Sequence, residues 1–222
     1  MKKILFIILA LAMCLGLSAC GDDAFDMSKE AYDKIAAAYD ITDTYASDIY
    51  EAWRLGIYSK DDIVKDGNGF LASELGLSEK ELDEGMAYTI ATFVYEKDWD
   101  SLSDEEKKKY RDYEPTVFYK LMKDDLFSIC IEVVSNTYKM NGKRDEIASD
   151  LEDAKSIMKE LSDDHSDYEH YPNLKGFYTT TSAFFEFCED PSGSFEQVKD
   201  TLNNYRKEAR DFKKDLDYIF EE

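Results

Sequence analysis

The sequence predicts an all-α protein: an irregular bundle of about five or six helices, with a long heptad-patterned C-terminal helix and a buried central helix at about 115–140. Two observations predict it. Apolar residues recur in steps of three and four nearly throughout, the period of a helix, and hardly ever alternate as in a strand. Only three prolines and ten glycines interrupt the 222 residues, so the chain lacks the dense punctuation of an all-β domain.

The first element is an address. Behind Lys2 and Lys3, Ile4 to Leu17 is a run of fourteen residues without a charge, too short to cross a bilayer comfortably and of the right length for a signal-peptide core. Leu17-Ser18-Ala19-Cys20 closes it, an apolar residue and two small ones before a cysteine. This tetrapeptide resembles the lipobox of bacterial lipoproteins, a resemblance confined to roughly the first twenty residues. It implies that the Cys20 sulfur receives a diacylglycerol and that cleavage leaves Cys20 as the first mature residue. Two acyl chains at about 0.8 kcal/mol per buried CH₂ give roughly 20 kcal/mol, enough for stable anchoring. The expected organisation is a signal peptide at 1–19, the lipidated cysteine with a short tether at 20–27, and one helical domain at 28–222. Fully extended, Gly21 to Met27 would reach about 25 Å.

The first mature helix is expected from Ser28 to Tyr58, with Ile35, Ala38, Thr42, Tyr45, Ile49, Ala52 and Gly56 on one stripe and Tyr39, Ala46 and Trp53 on its flank. "SKDDIVKDGNGFLASELG" breaks the pattern and reads as a loop with at most one short helical turn. Ser78 with Glu81, and Ser103 with Glu106, have the spacing of capping boxes, and Leu77 with Leu82 that of a hydrophobic staple. Met86, Ile90 and Phe93 fall on one face. From Pro115 to Met140 apolar residues lie on nearly all sides, as in a buried helix. An amphipathic helix follows through Ile147, Leu151, Ala154, Met158 and Leu161, then a polar connector and a helix from about Asn173 to Cys188. Phe195, Val198, Leu202, Tyr205, Ala209, Phe212, Leu216 and Ile219 complete a heptad stripe of about 40 Å, capped by Ser194 and Gln197. Short turns at 141–143 and 190–193 favour antiparallel neighbours.

Against 27 basic residues stand 49 acidic ones, a formal charge of −22. Such a surface argues against nucleic acid and against attraction to anionic lipid. Cys130 and Cys188 lie inside apolar runs, where a disulfide and two buried free thiols are both open. His165 and His170, the only histidines, sit among acids as weak metal candidates, but zinc needs three or four converging ligands and their spacing is neither that of a metzincin nor that of a zinc finger. "DDIVKDGNGFLASE" fits a calcium loop in neither register. Glu132 interrupts the most apolar stretch and is expected on an exposed stripe with Asp125 and Ser128. "GFYTTTSAFFEF" mixes aromatics and hydroxyls as a ligand groove would, although helix packing explains it too. No catalytic signature and no cofactor motif is present.

These observations lead to an exported protein, lipid-anchored at the extracytoplasmic face of the membrane. An interaction or scaffold component with a membrane-proximal protein partner comes first. A small helical ligand binder is the alternative, and an enzyme comes last.

Overall fold

One helix organises the molecule. The computed structural model describes the backbone of residues 2–220 and the side chains of residues 23–220, and its helix α1 (Lys2–Tyr58) is 57 residues long. The side chains of residues 1–22, that of Cys20 among them, lie outside the described residues. From Ala24 onward α1 buries Ala24, Ser28, Ala31, Ile35, Ala38, Thr42, Tyr45, Ile49, Ala52 and Gly56, in unbroken steps of four and three that keep one side of a helix facing its neighbours. The stripe thus begins earlier than the sequence reading placed it. Residues 21–27 are helical rather than an extended tether, so they rise about 10 Å instead of 25 Å.

Ten α-helices and no strands occur among the described residues. The fold class is as expected, with more helices because two segments divide. The stretch read as a loop forms α2 (Lys60–Asp66) and α3 (Asn68–Leu75). Ile63, Leu71 and Leu75 are buried, which supplies the packing that turn-rich sequence alone did not reveal. Gly67 separates the two at φ 60°, and a Cβ there would lie 2.8 Å from Pro115 Cβ, so only glycine fits without displacement. The helix expected over 115–140 is split into α6 (Pro115–Leu121) and α7 (Leu126–Met140) by a short 3₁₀ turn at Lys123–Asp125. Both parts enter the core, α6 through Phe118 and Tyr119 and α7 more extensively, with Leu126, Ile129, Cys130, Val133 and Val134 inaccessible.

Between these lie α4 (Glu79–Thr89), which continues into a π-helical turn at Ile90–Val94, and α5 (Asp104–Arg111). Both helices begin with the expected reciprocal capping boxes. The π turn inserts extra arc into the helix, and Phe93 leaves the face of Met86 and Ile90 to stand 51% exposed.

The remaining helices are α8 (Lys143–Asp164), α9 (Tyr171–Glu189) and α10 (Phe195–Phe220). Helices α7, α8, α9 and α10 all pack on α1, and side-chain contacts fix their directions. Trp53 stacks near Phe127 and Tyr45 on Tyr138, so α7 runs antiparallel to α1. Ala38 clusters with Ile147, Lys34 reaches Asp150 at 2.8 Å, and Ser28 meets the Tyr168 hydroxyl at 2.7 Å. Helix α8 therefore continues along α1 in the same direction as α7. The turn at Asn141–Gly142 does not reverse the chain as a short connection ordinarily would. Helix α9 then runs parallel to α1 (Tyr32 and Tyr39 against Phe177, Tyr39 against Phe184). Helix α10 returns antiparallel, with Phe195 beside Tyr50 and Phe220 beside Phe25.

The result is an up-down-up-down four-helix bundle whose second member is the α7–α8 pair laid end to end. Residues 59–125, with α2 to α6, are inserted at the far end of α1. We call the end holding Ala24, Tyr168 and Phe220 the near end.

Two substitutions test this packing. At Gly56 a Cβ would lie 2.4 Å from the Phe127 Cα, a backbone atom that no rotamer change can move. Gly56→Ala should force α1 and α7 apart and lower stability by about 1–3 kcal/mol in denaturant unfolding. Ile129→Asp sets a charge at an inaccessible position and should cost several kcal/mol, roughly 3–5; a change under about 0.5 kcal/mol would mean that the site accommodates water.

Candidate functional site

Helix α9 stops at Glu189, whose carboxylate lies 3.2 Å from the Tyr45 hydroxyl, whereas α1 continues to Tyr58. Over those last turns the face of α7 has no α9 beside it. The chain crosses instead through Asp190 and Pro191 toward α10. A cavity of about 310 Å³ remains, walled by Phe127, Ser128, Ile131, Glu132, Ser135 and Asn136 of α7. Trp53 of α1, Arg144 of α8 and the segment Cys188–Pro191 close it.

Its chemistry is mixed. Arg144 is the single cation of the lining and is already ion-paired with Glu189. Ser135 Oγ stands 2.9 Å from the Tyr45 hydroxyl. Glu132 is half-buried and faces the cavity together with Ser128, while Asp125 stays exposed. The exposed stripe expected for these three therefore holds only for Asp125, because the break before α7 turns the helix so that Ser128 and Glu132 point into the gap left by α9. Desolvation raises the Glu132 pKa above the ordinary carboxylate range and Asp190 adds to the rise, against a lowering by Arg144. Asn136, 8% exposed, gives its Nδ2 hydrogen to Thr89 Oγ1 at 3.0 Å.

Behind the cavity lies a buried polar centre. Tyr138 donates to Asp48 Oδ2 at 2.7 Å, stacks on Tyr45 at a centroid distance of 4.4 Å, and carries the Lys143 ammonium 4.9 Å from its ring. Asp48 is 8% exposed, and burial pushes its pKa up to about 6 despite the Tyr138 hydrogen bond and Lys143.

The other candidates fall elsewhere. His165 closes α8 and His170 precedes α9, with His170 Nε2 3.5 Å from the exposed Glu169. Among the described residues no three His, Cys, Asp or Glu side chains converge on a common point, so these histidines form no metal cluster. Cys130 and Cys188 are separate free thiols, both buried; the disulfide that the sequence left open is not formed. Desolvation raises the Cys130 pKa to about 12 and that of Cys188 further still, which makes both unreactive at neutral pH. Of the "GFYTTTSAFFEF" segment, Phe177, Thr180, Thr181 and Phe184 are buried. Only Tyr178 and Thr179 line a shallow groove against Lys155 and Met158 of α8. No described helix is long and apolar enough to cross a membrane.

Of the polar cavity lining other than cysteine, only Glu132 and Ser128 were singled out from the sequence, and Cys188 and Trp53 were noted there for other reasons. Arg144, Glu189 and Asp190 escaped because they stand at helix ends some 45 residues apart that only the bundle topology brings together. Comparison with protein-family models, with curated proteins and with solved structures finds no match to the chain.

The raised Asp48 pKa has a definite sign. A carboxyl that binds its proton more tightly folded than unfolded contributes stability that is complete below about pH 4 and is lost as pH rises through about 6. Asp48→Asn keeps an acceptor for Tyr138 and removes the titration. Relative to the wild type, the variant should gain about 2–3 kcal/mol in denaturant unfolding between pH 4 and pH 7.5. An equal difference between the two proteins at both pH values would place the ionised Asp48 in contact with water.

Proposed function

We propose that this chain is an exported, lipid-anchored helical protein that acts as an interaction component at the outer face of the membrane. The observation that carries the reading is Leu17-Ser18-Ala19-Cys20 at the end of an uncharged run. Its physical consequence follows from α1. Ala24 is the first buried residue among the described side chains, four positions after Cys20, or about 6 Å of helix. An acyl anchor at Cys20 would therefore hold the near end of the bundle against the bilayer. The far end, reached about 50 Å further along α1, would point away from it. Tyr58 stands 69% exposed there, with Phe195 at a centroid distance of 6.2 Å, and Leu121 of the inserted segment is 65% exposed, while at the near end Tyr218 is exposed at 74%. A protein partner is the occupant such a surface suits.

A second reading, a lipid-anchored binder of a small molecule, is favoured by the cavity beside Glu132. Its volume of about 310 Å³ reaches the lower end of the range for ligand sites.

Intact-mass measurement of the membrane-extracted protein tests the anchor. The expected product begins at Cys20 and carries the acyl modification; Cys20→Ser should remain unprocessed and unmodified. A mature end elsewhere, or an unmodified Cys20, overturns the anchored reading.

A further inference from the structure

We propose that the cavity between α7 and the end of α9 binds a small organic cation through a primary ammonium group. This deepens the ligand-binding reading and does not depend on the anchor.

The first ground is charge. The lining holds the carboxylates of Glu132, Glu189 and Asp190 against the guanidinium of Arg144 alone. Arg144 and Glu189 are paired with each other, which leaves Glu132 and Asp190 without a cationic partner among the described residues. Glu132 is also without any hydrogen-bond donor among them, although it is half-buried. Its carboxylate oxygens are therefore left to solvent, or to a ligand's donors, in the cavity.

The second ground is the Asn136 amide, whose Oδ1 takes no hydrogen bond from the described residues and stays accessible to solvent. This side chain is more than nine-tenths buried and lines the cavity. Its Nδ2 is committed to Thr89, and no described donor reaches its Oδ1. The cavity therefore presents acceptors in surplus, one neutral and the others anionic. A ligand that matches it must bring both positive charge and N–H donors, which an alkylammonium has and a quaternary ammonium does not.

The third ground is the remaining wall. Trp53, Phe127 and Ile131 give an apolar surface against which a short methylene chain can lie, and the aromatic rings favour a cation nearby. The volume admits a chain of a few carbons. An anionic ligand would find its only cation already occupied by Glu189. The rise in the Glu132 pKa agrees with this arrangement, since an ammonium beside it would restore the ionised form.

Titration calorimetry on the full-length chain in a neutral detergent, at pH 7.5, tests the proposal with 1,4-diaminobutane, butylammonium and tetramethylammonium as chloride salts and sodium chloride as control. The expected order is diaminobutane, then butylammonium, with tetramethylammonium weakest. Glu132→Gln should weaken diaminobutane binding about tenfold or more. Ser128→Phe, which fills the cavity from a half-buried position, should abolish it. Far-UV circular dichroism establishes that each variant is folded, and should one not fold, the other decides. Absence of saturable binding up to about 10 mM, a range that still detects affinities weaker than millimolar, would overturn the proposal. So would tetramethylammonium binding as tightly as the primary amines, or diaminobutane affinity that both variants leave unchanged. Because the assay is indifferent to acylation, a failure here leaves the anchored reading standing, and a failure of the anchor leaves this one.

Discussion

Close approach to α1 is the constraint on which the other helices depend. Seven of its ten stripe positions are Ala, Ser, Thr or Gly, and small residues at a helix contact shorten the distance at which two axes can pack. The bulk comes from the partners: Phe127 and Tyr138 from α7, Met158 from α8, Phe177 and Phe184 from α9. Gly56 is the extreme case, with the Phe127 backbone taking the space of a side chain. At Gly85 the same device recurs between α4 and α7, where a Cβ would fall 2.1 Å from Thr137 Oγ1. A helix that is narrow on one side and surrounded on most others can serve as the common floor for four neighbours. It also explains why the inserted segment docks only at its end, since the rest of α1 is taken.

Charge plays a different part. Along the seam between α1 and α10, Asp43 accepts from Arg206 and Arg210, and Tyr32 and Lys213 meet at Asp217. Half-exposed pairs of this kind contribute little each to stability. They recur in register, however, and a slip of α10 by one turn would leave Asp43 with one of its two arginines and part Tyr32 from Asp217. The apolar stripes supply the adhesion and the polar rim selects one alignment. With so large an excess of acid, each of the few arginines is drawn into such a pair.

The sequence revealed what is periodic. The stripes of α1, α8 and α10 and the three capping boxes can be read directly, because each follows from local geometry. It did not reveal the helices of residues 60–75, where "KDGNG" has every mark of a turn and only Ile63, Leu71 and Leu75, held by distant elements, make it helical. Nor did it reveal that α8 prolongs α7. A short connection usually reverses the chain, but here Gly142, at φ 81°, redirects it along an α1 long enough to support both helices in series. The cavity was hidden for the same reason. It exists because α9 is shorter than the helix it accompanies, a difference in length that no local motif records. Glu132 stood out as a charge in an apolar run, yet the side it faces depends on the break at residues 122–125.

The Phe25 and Phe220 rings meet at 5.5 Å, so the first and last described turns of the bundle lie side by side at one pole. This has a mechanical meaning. A load drawn between the two ends acts across the α1–α10 seam and opens it one contact at a time, from Phe220 back toward Phe195, as a zipper opens. A load drawn between the near end and the far end acts along the helix axes instead, and every contact of α1 with its four neighbours must slide together. Unfolding force should therefore depend strongly on the direction of pull. The fold resists best along α1, the line that runs from Ala24 at one pole to Tyr58 at the other.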